Sequence, residues 1–173
     1  MEKTKLKGTY GYKNFISNPE KEYLVNWVDT NINSFEDNGE GRKYCVLKNV
    51  LNSPLDLIKN IKNRIIQVEN IKNWKPEPEY DDYIGINNIG ASIHPHMDPN
   101  YGDYIHTRYN VILSYPLEGG ESIYGNNINK LEENIVWKCI AGKVLHSSKP
   151  VIGFKPRITL SLGFLIKENN GNN

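Results

Sequence analysis

The sequence predicts a mainly β domain with two helices on its N-terminal side and an antiparallel double sheet beyond them. Three observations carry this reading. Helix-start signals followed by apolar residues at helical spacing occur twice, and only before residue 83. From Tyr83 onward, short runs rich in Ile, Val, Tyr and Thr alternate with Gly, Pro, Asn and Asp, without helical periodicity. The chain of 173 residues suits one domain and shows neither a linker nor an internal repeat.

Each element follows from local chemistry. Residues 1–16 are polar with scattered Tyr and Phe, and are expected to add an edge strand. Ser17-Asn18-Pro19-Glu20 combines a capping side chain, an early proline and an acid near the positive end of a helix dipole. Leu24, Trp27, Val28 and Ile32 follow at helical spacing and predict a buried face. Residues 36–41 break the pattern as a loop, and Tyr44–Leu47 reads as a short strand. Ser53-Pro54 opens the second helix, with Leu57, Ile58, Ile61 and Ile65 on one face. Pro76 and Pro78 end the helical region, since neither can continue a helix. Seven strands are expected after that: Tyr83–Ile86, Ser92–His94, Thr107–Tyr115, Glu121–Tyr124, Ile135–Ile140, Lys143–Leu145 and Arg157–Ile166. Residues 1–82 thus read as a helical support region and 83–166 as the β core. Residues 167–173 read as a solvated, disordered tail of Asn and Gly.

Composition excludes several classes. The 21 Lys and Arg nearly cancel the 20 Asp and Glu, for a net charge of +1. No global field draws the chain to nucleic acid or anionic lipid, and neither is an expected partner. Cys45 and Cys139 are too few for a disulfide framework or a thiolate cage. Residues 1–5 carry no signal-peptide pattern, and no stretch approaches the ~20 apolar residues of a membrane span. The expected location is cytoplasmic.

Four histidines carry most of the chemistry: His94, His96, His106 and His146. In an extended segment, residues two apart point to the same side. His96 and Asp98 can therefore present an imidazole and a carboxylate to one metal ion. A single H-x-D triplet recurs by chance in many proteins, and His94 shares the same face as a rival ligand. His146 is the candidate third ligand. Two His and one carboxylate on one face leave the opposite coordination positions open, as non-haem Fe(II) oxygenases require. Eleven residues after His146 stands Arg157, with Thr159 and Ser161 on its face of a strand. That group suits a carboxylate, which a guanidinium grips bidentately.

Taken together, residues 83–166 resemble the 2-oxoglutarate- and Fe(II)-dependent oxygenase family, and most closely its prolyl-4-hydroxylase-like branch. His96-Met97-Asp98 resembles the family's H-x-D. Arg108 and Tyr115 stand seven apart, as in the branch's R-x(6)-Y strand. Gly119-Gly120-Glu121-Ser122 resembles its G-G-E turn. His146 through Gly153 resembles its distal H-x-x-x-P-V stretch, which a basic residue follows. The pieces occur in the family's order over about half the chain.

The resemblance implies a double-stranded β-helix, or jelly roll, whose helices back the larger sheet. It implies an enzyme with Fe(II) and 2-oxoglutarate as cofactors and dioxygen as co-substrate. His96, Asp98 and His146 would bind the metal, and Tyr115 would bond the distal carboxylate of 2-oxoglutarate. Its basic partner would be Arg157, supported by Thr159 and Ser161, or else Lys155. The implied reaction hydroxylates an unactivated C–H bond, such as that of an amino-acid side chain, releasing succinate and carbon dioxide. The substrate would be a protein, a peptide or a small molecule. The nucleic-acid demethylase branch has a second Arg six residues after the first, and here that place is Gly163. A nucleobase-directed oxygenase is therefore an alternative with a missing piece, and a non-catalytic jelly-roll binding module is another. Ile93, Leu145 and Leu160 are expected to line the pocket or to join the core.

Overall fold

The computed structural model describes residues 1–167. Lys167 ends the last strand, and residues 168–173 of the expected disordered tail lie outside the described residues. The chain opens with a hairpin, β1 (Glu2–Leu6) and β2 (Thr9–Lys13), and enters α1 (Asn18–Thr30). A short hairpin, β3 (Glu36–Asp37) and β4 (Arg42–Val46), precedes α2 (Leu55–Val68). Next come β5 (Trp74–Pro76), β6 (Asp82–Asn87) and the long β7 (Tyr104–Ser114). Short strands follow: β8 (Glu118–Gly119), β9 (Ser122–Tyr124), β10 (Asn127–Asn129), β11 (Val136–Cys139), β12 (His146–Ser148) and β13 (Val151–Ile152). The long β14 (Arg157–Lys167) ends the fold.

These strands form two facing layers. The large sheet runs β1-β2-β11-β7-β14-β6-β4-β3, with β5 also paired to β14, all antiparallel. The smaller layer holds β10-β9-β12 and the pair β13-β8. This is the expected jelly roll of mainly β structure. The N-terminal region contributes more than helices, because five of its strands extend or flank the large sheet.

Both helices pack on one face of the large sheet. Leu24, Trp27 and Val28 of α1 and Ile58, Ile61 and Ile65 of α2 are buried there. They meet Val111, Leu160, Leu162 and Phe164 from the central strands. Ser17 caps α1 reciprocally with Glu20, each side chain bonding the other's backbone N–H. Four expectations shift. Ile32 is exposed, because α1 ends at Thr30 and Ile32 opens a single 3-10 turn. Leu57 is only partly buried at the edge of the core. Ser92–His94 and Lys143–Leu145 are not strands: the first is irregular, and the second lies in the turn leading to His146.

Candidate metal and anion site

The sheet face opposite the helices lines a cavity of about 320 Å³. Period-2 alternation decides which side chains reach it. In β7, His106, Arg108 and Asn110 face the cavity, while Tyr109 and Val111 face the helices. In β14 the cavity side is Arg157, Thr159 and Ser161, and the helix side is Ile158, Leu160 and Leu162. Arg42, Tyr44, Tyr80 and Tyr83 complete the wall on the β4–β6 side.

His96 and His146 come from separate segments joined by backbone pairing. His96 N donates to the His146 carbonyl at 3.1 Å, and His146 N donates back at 2.9 Å. Their rings lie 4.3 Å apart between centroids. His96 Nε2 is 3.5 Å and His146 Nε2 3.9 Å from Asp98 Oδ1, and ligand atoms of the three residues all fall within 4.8 Å of one another. His96 Nδ1 bonds the His94 carbonyl at 2.8 Å, and His146 Nδ1 the Val144 carbonyl at 3.1 Å. A carbonyl only accepts, so each Nδ1 carries a proton and Nε2 is the nitrogen each ring turns to the shared site. The chain thus fixes both imidazoles in the tautomer that a metal needs. His94 turns away, to Glu40 at 2.8 Å on the exposed surface.

Asp98 is held from behind. Arg108 Nε donates to Asp98 Oδ2 at 3.2 Å, and His106 Nε2 lies 3.6 Å from the same oxygen. The Arg108 guanidinium is buried and also donates to Glu77 Oε2 and the Asp81 carbonyl, each at 3.2 Å. Glu77, itself 1% exposed, accepts the backbone N–H groups of Glu79, Tyr80 and Asp81, each at 2.8 Å. Burial pushes the Asp98 carboxyl up, but the His96 hydrogen bond and the Arg108 charge outweigh it and hold the pKa below the usual carboxylate range. The Asp98 hydrogen bond raises the pKa of His96, whereas burial lowers that of His146. A carboxylate beside two imidazoles that present Nε2 is a suitable donor set for a divalent first-row ion.

Arg157 lies elsewhere in the same cavity. It is 4% exposed, and its Nη2 donates to Ser122 Oγ at 2.9 Å. Its Nε and Nη1 have no partner, and no carboxylate neutralises it among the described residues. Burial lowers its pKa, a sign of how strongly the site disfavours a bare cation. Tyr115 is buried just beyond β7, near enough to feel the Arg157 charge, and packs with Leu131 and Trp137. Lys155 is elsewhere: its ammonium pairs with Glu133 on the outer surface and does not line the cavity. Ile93 lines the cavity, Leu145 is half-exposed outside it, and Leu160 lies in the helix-side core.

Sequence reasoning missed Glu77 and the anchoring use of Arg108. The visible signal was a lone acid between two prolines, next to a strand whose cavity face reads His106-x-Arg108-x-Asn110. Gly163 now has a reason as well. A Cβ there would sit 2.5 Å from the Asp81 carbonyl and 3.3 Å from Arg108 Nη1. The Arg108 guanidinium occupies the space that a side chain at 163 would use.

No protein-family model matches the chain, and no curated protein sequence does. Solved structures do. The viral collagen prolyl hydroxylase vCPH of Paramecium Bursaria Chlorella virus-1, complexed with 2-oxoglutarate, aligns over 91% of this chain and 95% of its own, at 16% identity and a TM-score of 0.66. A Trichoplax adhaerens prolyl hydroxylase, in complex with a hypoxia inducible factor oxygen degradation domain peptide fragment, covers 90% and 82% at 13% identity and a TM-score of 0.66. HygX of Streptomyces hygroscopicus, with nickel, 2-oxoglutarate and hygromycin B bound, covers 92% and 83% at 10% identity and a TM-score of 0.71. The likeness is one of fold, and it falls on the group of proteins that the sequence motifs resemble: this chain has the jelly-roll fold of the 2-oxoglutarate-dependent hydroxylases.

Proposed function

We propose that the protein is an Fe(II)- and 2-oxoglutarate-dependent dioxygenase that hydroxylates an unactivated C–H bond, with an amino-acid side chain of a peptide or protein as substrate. One observation carries the reading. A single cavity holds a two-histidine, one-carboxylate group together with a buried guanidinium that has two unpartnered nitrogens. The first fits a divalent metal, and the second fits a carboxylate that the chain itself does not provide.

His96, Asp98 and His146 would hold the iron. Arg157, with Ser122 bonded to it, Thr159 on the same strand face and Tyr115 behind, would hold the distal carboxylate of 2-oxoglutarate, whereas the Ser161 hydroxyl accepts from Arg108 at 3.5 Å. When bound, the pair supplies dioxygen activation coupled to oxidative decarboxylation, releasing succinate and carbon dioxide. The remaining work belongs to the chain. Arg108 and Glu77 keep Asp98 ionised and aimed. The carbonyls of His94 and Val144 keep both imidazoles in the ligating tautomer. Tyr44, Tyr80 and Tyr83 form an aromatic wall against which a substrate side chain can pack. The peptide bound to the Trichoplax adhaerens neighbour supports a peptide substrate here, and hygromycin B in HygX supports testing small molecules beside it. Among the described residues no helix is long and apolar enough to cross a membrane.

Anaerobic titration with Fe(II) and then 2-oxoglutarate tests the assignment. A weak visible metal-to-ligand charge-transfer band is expected. If metal binds and no band develops at saturating 2-oxoglutarate, the dioxygenase reading falls.

A further inference from the structure

We infer that the indole N–H of Trp137 is a further ligand contact, donating to the same carboxylate that Arg157 receives. The inference rests on the dioxygenase reading and extends it to a residue that neither the motifs nor the metal geometry single out.

Trp137 sits in β11, where alternation turns Trp137 and Cys139 to the cavity and Val136 to the helix-side core. It is 5% exposed, and its Nε1 has no partner. Indole is a donor without acceptor capacity, so no rotation of its own can satisfy it. A buried N–H left unpaired is costly, and native structures rarely tolerate one without a reason. Trp27 shows the ordinary solution, donating its Nε1 to the Asn52 carbonyl at 3.2 Å.

The unmet donors of this cavity include Trp137 on β11 and Arg157 on β14, with His106 on β7, whose ring lies beside Asp98 on the metal side. β9 links Trp137 and Arg157. Ser122 bonds Arg157, and Tyr124 packs edge-on against Trp137 with ring centroids 6.2 Å apart. Two residues along one strand span roughly 7 Å, a gap that side chains as long as Arg and Trp can close around one group. Asp98 and Glu77 already serve Arg108 and backbone N–H groups, and Glu121, which keeps a buried Oε2 without a partner, bonds neither Arg157 nor Trp137. The acceptor must arrive with the ligand. Three donor nitrogens, two from Arg157 and one from Trp137, match a carboxylate better than a single carbonyl, since its two oxygens offer about four lone-pair sites.

The test uses protein labelled with 15N at tryptophan, loaded with Zn(II) as a diamagnetic stand-in and titrated with 2-oxoglutarate. The chain has three tryptophans, so three indole resonances are expected. The one removed by Trp137→Phe should move downfield and saturate with ligand, while those of Trp27 and Trp74 stay in place. Trp137→Phe, which keeps an aromatic ring against Tyr124, should raise the 2-oxoglutarate Kd about tenfold and leave the Zn(II) Kd unchanged. If that variant does not fold, Trp27→Phe and Trp74→Phe assign the third resonance by elimination, and the wild-type titration decides. Saturable 2-oxoglutarate binding with an unmoved Trp137 resonance overturns this inference alone. Zn(II) binding without any 2-oxoglutarate binding overturns the dioxygenase reading and this contact with it.

Discussion

The two faces of the large sheet are made by the same strands and have opposite chemistry. Along β14, Ile158, Leu160, Leu162 and Phe164 pack under the helices. Their immediate neighbours Arg157, Thr159 and Ser161 line the cavity. The first face is closed and mainly apolar, and its few polar atoms are paired, as the Tyr109 hydroxyl is with Glu69. The second carries a buried cation with unmet donors, a condition that costs the folded state stability. The difference separates stability from function onto the two sides of one ribbon. Stabilisation by the helix face offsets the polar burial that the cavity face needs for binding.

Four substitutions, one of them a control, probe that separation. Phe164→Ala should have the largest effect. The ring is fully buried between Tyr109 and Trp74, at centroid distances of 5.3 and 5.1 Å. Its loss should lower unfolding stability by about 3–5 kcal/mol, read by urea denaturation. A change much below that would mean the helix face is not the dominant core.

Arg157→Met comes next, with effects in two directions. The 2-oxoglutarate Kd should rise by roughly two orders of magnitude, about 2.7 kcal/mol. Ligand-free stability should hold or increase, because an apolar side chain of similar length replaces an unpaired buried cation. A marked loss of stability would show that Arg157 belongs to the structural half of the sheet. Lys155→Ala is the matched control: its partly exposed ion pair with Glu133 is worth about 0–1 kcal/mol, and 2-oxoglutarate affinity should not change. If Lys155→Ala weakens that affinity and Arg157→Met does not, the assignment of the anion site reverses.

Ser17→Ala is the smallest. It removes the capping box of α1 and should lower stability by about 1 kcal/mol. Isothermal titration should return the wild-type 2-oxoglutarate Kd, since α1 touches only the helix face.

The helix face was legible in the sequence because burial there repeats at the helical and strand periods. Leu24, Trp27, Ile58 and Ile61 announce themselves by spacing alone. On the cavity side, His96, Asp98, His146 and Arg157 were legible as residue types in order, and the structure brings them to one cavity. What was hidden depends on contacts between distant segments. Glu77 and Arg108 are 31 residues apart and meet only through folding. Lys155 and Arg157 share a strand direction in the sequence, yet Lys155 precedes β14 and lies outside the cavity. The edge strand expected in residues 1–16 is present as β1, whereas β3 lies in the segment read as a loop, because two exposed residues at a sheet margin are too few to show alternation.

The position of β14 also bears on how the chain folds. Among the described residues the last strand in sequence is the central one, hydrogen-bonded to β7 on one side and to β6 and β5 on the other. During synthesis, residues up to 156 therefore leave the ribosome with an open slot between β6 and β7. The β1–β2 hairpin waits as well, since its partner β11 comes more than a hundred residues later. Such distant pairings slow folding and leave strand edges unprotected until late. Closure by residues 157–167 joins the two halves of the large sheet and seats Arg157 in the same event. The central ladder of the sheet and the Arg157 wall of the cavity are thereby completed together, by the same 11 residues.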